Sequence, residues 1–197
     1  MQLWTIHPIE WYEKLLKDGI IYGEKKYVEP DFLYSYDWLV KKMEERIGNR
    51  PFPECYPVWS WFQYTNSKRR KPDLRSRGFI PKGTKGVRIE INKNENDVLL
   101  SDFHLWHHPL NYYSIDDNEE ESDAFDRLLE QNNINFVDKE SYTPEIRQIV
   151  EQSWDKLLDM DYAPEYAAFP FEEKAIQATF WSLSVHEIVK VEEFIAR

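Results

Sequence analysis

Between Phe32 and Ile47 the apolar residues Phe32, Leu33, Tyr36, Leu39, Val40, Met43 and Ile47 recur at steps of three and four, while Lys41, Lys42, Glu44 and Glu45 fill the other side. This periodicity marks an amphipathic helix, and it leaves one apolar stripe that another layer must cover. Pro30 sets its start and Gly48 its end. A period of two elsewhere supplies that layer: Val87, Ile89 and Ile91 alternate with Arg88, Glu90 and Asn92, as in a half-buried strand. Helix stripe and alternating strands together predict an α+β fold, with several helices packed on a mostly antiparallel sheet.

The remaining segments fit that frame. Leu3, Trp4, Thr5 and Ile6 predict an opening strand, Pro8 the first position of a helix with Ile9, Tyr12, Leu15 and Leu16 inward, and Gly19 its left-handed stop before extended Ile20, Ile21 and Tyr22. Residues 57–64, PVWSWFQY, predict a ring-rich strand. Val98, Leu99 and Leu100 are expected beside residues 87–91, through an Asn-rich turn at 93–96. Ser101 is expected to cap a short helix, residues 116–123 to form an acidic loop, and two helices to follow, one from Ser122, the other opened by Thr143 and Pro144. Residues 175–183 read as one strand, Ser184 and Glu187 as a capping box, and 188–194 as the last strand.

With 197 residues, no repeat and no linker, the chain fits one domain spanning 1–197. Cys55 is the single cysteine, so there is neither an internal disulfide nor a multi-cysteine zinc pattern. No stretch approaches the ~20 apolar residues of a membrane span and no basic leader opens the chain, so the cytoplasm is the default expectation. A net charge of −11 opposes phosphate binding by the surface as a whole. Against that background the loop 68–77 stands out, because Lys68, Arg69, Arg70, Lys71, Arg75 and Arg77 face the single Asp73.

This basic loop directly follows the strand carrying Trp59, Trp61 and Tyr64. Aromatic planes stack on bases and guanidinium forks hold phosphates, so the junction describes a nucleotide or nucleic-acid site. The same residues also read as core rings beside a solvated turn. His104, His107 and His108 have helical spacing but few further ligands, and no metal is predicted. With six glycines there is no phosphate-cradling loop, and neither a nucleophile elbow nor a HExxH helix is present.

Residues 3–7 (LWTIH), 57–62 (PVWSWF), 71–75 (KPDLR), 99–103 (LLSDF), 105–107 (LWH) and 176–181 (IQATFW) resemble an uncharacterised bacterial family of domains of unknown function, thirty-eight forty-one. The order of a first strand, a helix ending in Lys17-Asp18-Gly19, and a closing strand-turn-strand is similar to the two ends of ADP-ribosyltransferase-type domains. That resemblance implies a split β-sheet binding NAD, with a first-strand His or Arg, a middle-strand Tyr or Ser, and a last-strand Glu. Here Thr5 and His7 stand near the first position, His7 displaced toward the helix start, and Gln177 where the Glu is expected. An amide carries no charge to steady an oxocarbenium-like centre.

Two readings follow. In the first, an ADP-ribosyltransferase-like domain binds NAD or a related nucleotide, with or without transfer: Trp59, Trp61 and Tyr64 lie near the base, Lys71, Arg75 and Arg88 near phosphates, and Thr5, His7 and Gln177 around the ribose. In the second, loop 68–77 of a non-enzymatic module holds RNA, single-stranded DNA or an acidic protein partner. A third arrangement, a hydrolytic site from Asp102, His107 and His186, has no spacing to support it.

Overall fold

The computed structural model describes residues 1–197, which pack as two compact units, Met1–Leu100 with Ala175–Arg197, and Ser101–Lys174. In the first unit, β1 (Gln2–Pro8) runs into α1 (Ile9–Asp18). Pro8, expected at the first helical position, is instead the last strand residue; at φ −56° and ψ 152° it is extended, and its missing N–H costs nothing at a strand end. Gly19 stops α1 in the left-handed region at φ 78°, as expected, its N–H closing on the Leu15 carbonyl. β2 (Ile20–Glu24) follows, and after a 3-10 turn over Pro30–Phe32 comes α2 (Leu33–Ile47), with Trp38, Leu39, Val40 and Met43 buried.

The later strands are β3 (Cys55–Tyr56), β4 (Val58–Gln63), β5 (Lys85–Asn92), β6 (Leu99–Asp102), β7 (Ile176–Phe180), β8 (Ser182–Ser184) and β9 (Ile188–Ile195). They form a six-stranded sheet in the order β6-β7-β4-β1-β5-β9 and a three-stranded sheet in the order β3-β2-β8. β1 pairs antiparallel with β4 and β5, β4 with β7, and β5 with β9, so this is the mostly antiparallel α+β architecture expected. Leu3, Val58, Val87, Ile89, Ile91, Ala178 and Phe180 share one buried cluster with Leu15, Ile21 and Leu183. Each Val, Leu, Ile or Phe among them contributes ~1.5–3 kcal/mol when buried, and a slip of one residue would expose a whole row of them.

Two strand expectations need correction. β6 is not the hairpin partner of β5: β5 already pairs with β1 and β9, and β6 lies at the far edge beside β7. The turn explains this. A two-residue hairpin loop needs positive φ, whereas Asn94 sits at φ −64° and its side chain accepts from Asn96 N to cap a 3-10 turn that leads the chain away. Residues 175–183 are two strands, because Trp181 interrupts the ladder and the chain changes sheets there, β7 pairing with β4 and β8 with β2. The capping box at Ser184 and Glu187 is present as read.

In the second unit α3 (His107–Asn111), α4 (Glu119–Gln131) and α5 (Pro144–Ser153) surround Phe125, Leu129, Ile146, Val150 and Trp154. Thr143 caps α5 through Ile146 N, as expected. Ser101 caps nothing; it is a buried residue of β6, and the carboxylate of Asp102 accepts from His104 N and Leu105 N instead. The acidic run 116–123 is loop only as far as Asn118, which caps α4; Glu119, Glu120 and Glu121 occupy the first turn of the helix, where its dipole favours negative charge. No helix is long and apolar enough to cross a membrane.

Candidate functional site

β1 and β4 pair at Trp4↔Trp61 alone, and beyond that point the hydroxyl of Thr5 reaches across to the Trp59 carbonyl at 2.9 Å in place of ladder bonds. Where the two strands cease to pair, a hollow of about 530 Å³ opens, walled by the end of β1, the start of β4, α1, α2 and the small sheet. Rings line it. His7 lies flat on Trp11, one helical turn later, with centroids 3.7 Å apart and planes 7° from parallel. Tyr36 of α2 meets Trp59 edge-on at 6.0 Å, and Tyr22, Tyr27 and Tyr56 complete the wall. Gly23 is required here: a Cβ would stand 2.2 Å from the Tyr56 carbonyl oxygen, so only glycine lets β2 lie against β3.

The chemistry of the hollow follows from its hydrogen bonds. Thr5 has one hydroxyl proton and donates it to Trp59; its oxygen therefore accepts from His7 Nε2, 2.7 Å away. Nε2 carries the proton and Nδ1 is left as an acceptor. Burial pushes the His7 imidazole down to about 3, so the ring is neutral at physiological pH. Tyr56 donates to the carboxylate of Asp37, and burial first, then that bond, pushes its phenol well up. Of the charged residues at the rim, Lys14 pairs with Asp18 and Glu24 with Lys26, whereas Glu10 makes no ion pair.

A second hollow of about 740 Å³ lies under the basic loop, lined by Gln2, Trp4, Tyr64 and the segment from Lys68 to Ser76. Several of its cations are already engaged. Lys71 and Arg88 both hold Glu192, at 2.8 and 2.5 Å, and Arg88 also donates to the Pro72 carbonyl. Arg75 forks onto Asp73 and holds that carboxyl down at about 2. Arg70 is different: its Nε and Nη2 donate to the carbonyls of Phe62 and Gln2, and its plane lies over the Phe62 ring at 4.3 Å, with no carboxylate in ion-pair range.

The sequence model of a family described as Domain of unknown function (DUF3841) matches residues 2–189. The chain belongs to this family. Neither the curated proteins nor the solved structures contain a match.

In this DUF3841 chain the nine residues singled out from sequence do not gather in one hollow. Thr5 and His7 share one face of β1, and His7 lies within the strand rather than beyond it. Trp4, Trp61 and Gln177 are consecutive cross-strand partners and so share the opposite face, where the buried Gln177 Oε1 accepts no hydrogen bond. Trp59 belongs to the ring-lined hollow, Tyr64, Lys71 and Arg75 to the basic one, and Arg88 is buried in its ion pair. Trp61 packs edge-on against Tyr64 at 5.0 Å. His104 and His107 lie edge-on to Phe103, the Nδ1 of His108 bonds the Ser114 carbonyl, and His186 is exposed. Asp102 is committed to Lys174 at 2.8 Å. No three His, Cys, Asp or Glu side chains cluster as a metal site.

Residues that sequence reasoning missed are Trp11, Tyr22, Tyr36 and Tyr56 around His7; Arg70 is read in the sequence only as one cation of the basic loop. Only one carried a readable signal: His7 and Trp11 are four apart, a spacing that stacks rings once the helix is known to begin directly after Pro8.

Proposed function

We propose that the ring-lined hollow is a nucleotide site whose selected group is a planar cation, the oxidised nicotinamide of NAD being the foremost candidate. The observation that carries this is the combination of His7 stacked on Trp11 with the faces and edges of Tyr22, Tyr36 and Trp59 around one opening in the sheet. Electron-rich rings attract a cationic ring by ~0.5–2 kcal/mol beyond simple burial. Neutral His7 adds no opposing charge, Lys14 is paired with Asp18, and Glu10 contributes a negative charge that forms no ion pair. The free Nδ1 of His7 supplies an acceptor for a carboxamide N–H or a ribose hydroxyl. The similarity of the chain's two ends to ADP-ribosyltransferase-type domains, which bind NAD where a sheet splits, supports the same reading. The function proposed is binding; Gln177 is not among the residues that wall this hollow and carries no charge, so transfer is not assigned to it.

Calorimetric titration with NAD and with its reduced form tests the charge argument, since the reduced ring is neutral. NAD should bind at least about tenfold more tightly than the reduced form, a difference of ~1.4 kcal/mol. Trp11→Ala should remove that preference. Absence of heat with NAD, or equal affinities for the two forms, would remove the proposal.

A further inference from the structure

Loop 64–71 is held in shape before any ligand arrives. Tyr64 N and Thr65 N bond the carbonyls of Arg70 and Arg69, and the Asn66 side chain accepts from Lys68 N and Arg69 N. This brings Lys68, Arg69 and Arg70 to one wall of the basic hollow, beside Tyr64. Neither the Lys68 nor the Arg69 side chain forms an ion pair, and both residues are exposed. Arg70 is half-buried and fixed by two carbonyls and by the Phe62 ring, with Trp4 behind it at 5.5 Å. A guanidinium has five N–H donors, and two of Arg70's are used, which leaves three aimed by a rigid fork. In a chain of net charge −11, three uncompensated cations around a concave opening are a local reversal of sign.

We infer that this hollow is a phosphate site for a nucleotide, free or within a single strand, in which Arg70 grips the phosphate and Lys68 and Arg69 neutralise it. The assignment is independent of the ring-lined hollow, which is walled by other residues. It moves the phosphate contacts away from Lys71, Arg75 and Arg88, whose side chains are already held in ion pairs with Glu192 and Asp73. Fixing the loop beforehand lowers the ordering cost of binding, and the exposed side of Tyr64 offers a plane for the adjoining base.

The full chain is titrated with ADP and with an oligothymidylate of about twelve nucleotides at about 50 and 200 mM salt. Inorganic phosphate serves as competitor. One or both ligands should bind. ADP binding as tightly as the strand identifies a free nucleotide, while binding of the strand alone, weakening with a log-log salt slope of roughly −2 for three phosphates, identifies single-stranded nucleic acid. The double variant Lys68→Gln, Arg69→Gln should lose at least about tenfold in affinity, because two charge-assisted contacts are lost together. Arg70→Lys, which keeps the charge but not the fork, should lose a similar factor. Should Arg70→Lys unfold the loop, the double variant still decides, since its two side chains support nothing else. Excess N-methylnicotinamide, a cationic ring without phosphate, should leave ADP binding unchanged, separating this site from the ring-lined one. No binding at the lower salt, affinities untouched by the double variant, or equal competition by polyglutamate would overturn the inference.

Discussion

Replacing Glu192 by Gln tests how the basic loop is fastened to the sheet. Glu192 faces Arg88 across the β5–β9 ladder and accepts from it at 2.5 Å, while Lys71 of the loop reaches the same oxygen at 2.8 Å. The side chains of Arg88, Glu192 and Lys71 are 10%, 32% and 37% exposed, so the carboxylate joins an almost dry guanidinium to a wet ammonium. The hydrogen bonds of Lys71 and Arg88, in that order, hold the Glu192 carboxyl down from its ordinary 4.5 to about 2. At full strength that corresponds to roughly 3 kcal/mol. With about a third of the side chain in solvent, screening reduces it to about 1–2 kcal/mol. Gln keeps the shape and removes the charge, leaving Arg88 buried with the Pro72 carbonyl alone. The expected loss in urea unfolding followed by tryptophan fluorescence is therefore ~2 kcal/mol near neutral pH, or about 4–8 °C in Tm for a chain of this size. Because the native carboxyl is depressed, its contribution is complete above 4.5 and disappears as pH falls toward 2. The gap between wild type and variant should close over that interval. A gap below about 0.5 kcal/mol at neutral pH, or one that stays constant down to pH 3, would refute the reasoning.

His7 should keep one set of imidazole signals from pH 8 to 5 and titrate only toward about 3, and because its native value lies below the ordinary 6.5, the stability it contributes is lost as pH falls between those values. An NMR midpoint near 6 would show the ring to be hydrated. Asp102→Asn should cost ~3–5 kcal/mol by urea unfolding, because it strands an ammonium on Lys174, a pair 1% and 0% exposed. Adding Lys174→Met should recover much of that, and a single-variant cost under about 1 kcal/mol would count against a true buried pair.

The fold was legible where one local pattern decides. The stripe from Phe32 to Ile47 can only be a helix with one buried side, and Gly19, Thr143 and the Ser184–Glu187 box announce their turns through side-chain chemistry. Strand neighbours are another matter. Val98 to Leu100 have the composition of a partner for β5, but pairing is set by which edge remains free, and β1 and β9 occupy both edges of β5 from residues far away in the chain. Trp181 likewise looks like one more strand residue; only the competition of two sheets for the same run explains the break. The acidic stretch before Ser122 is ambiguous in sequence, since charge suits a solvated loop and equally a helix N-terminus, where the dipole stabilises three glutamates.

The two hollows were half legible for a related reason. Composition singles out cations, but whether a cation is available depends on its carboxylate, and the carboxylate arrives from another strand. Arg88 and Lys71 are consumed by Glu192, more than a hundred residues away, whereas Arg70, three positions from Asp73, escapes because its guanidinium turns back onto the Phe62 and Gln2 carbonyls. Rings obey the same logic. Trp61 contributes packing, while Trp11, in a helix that reads as ordinary amphipathic surface, becomes the floor beneath His7 because β1 and α1 meet at Pro8 with no intervening loop. The sign of each hollow is thus a difference between charges brought from separate segments: Glu10 left over at one, and Lys68, Arg69 and Arg70 at the other. The two hollows accordingly differ in the charge they present, through pairing that only the folded chain completes.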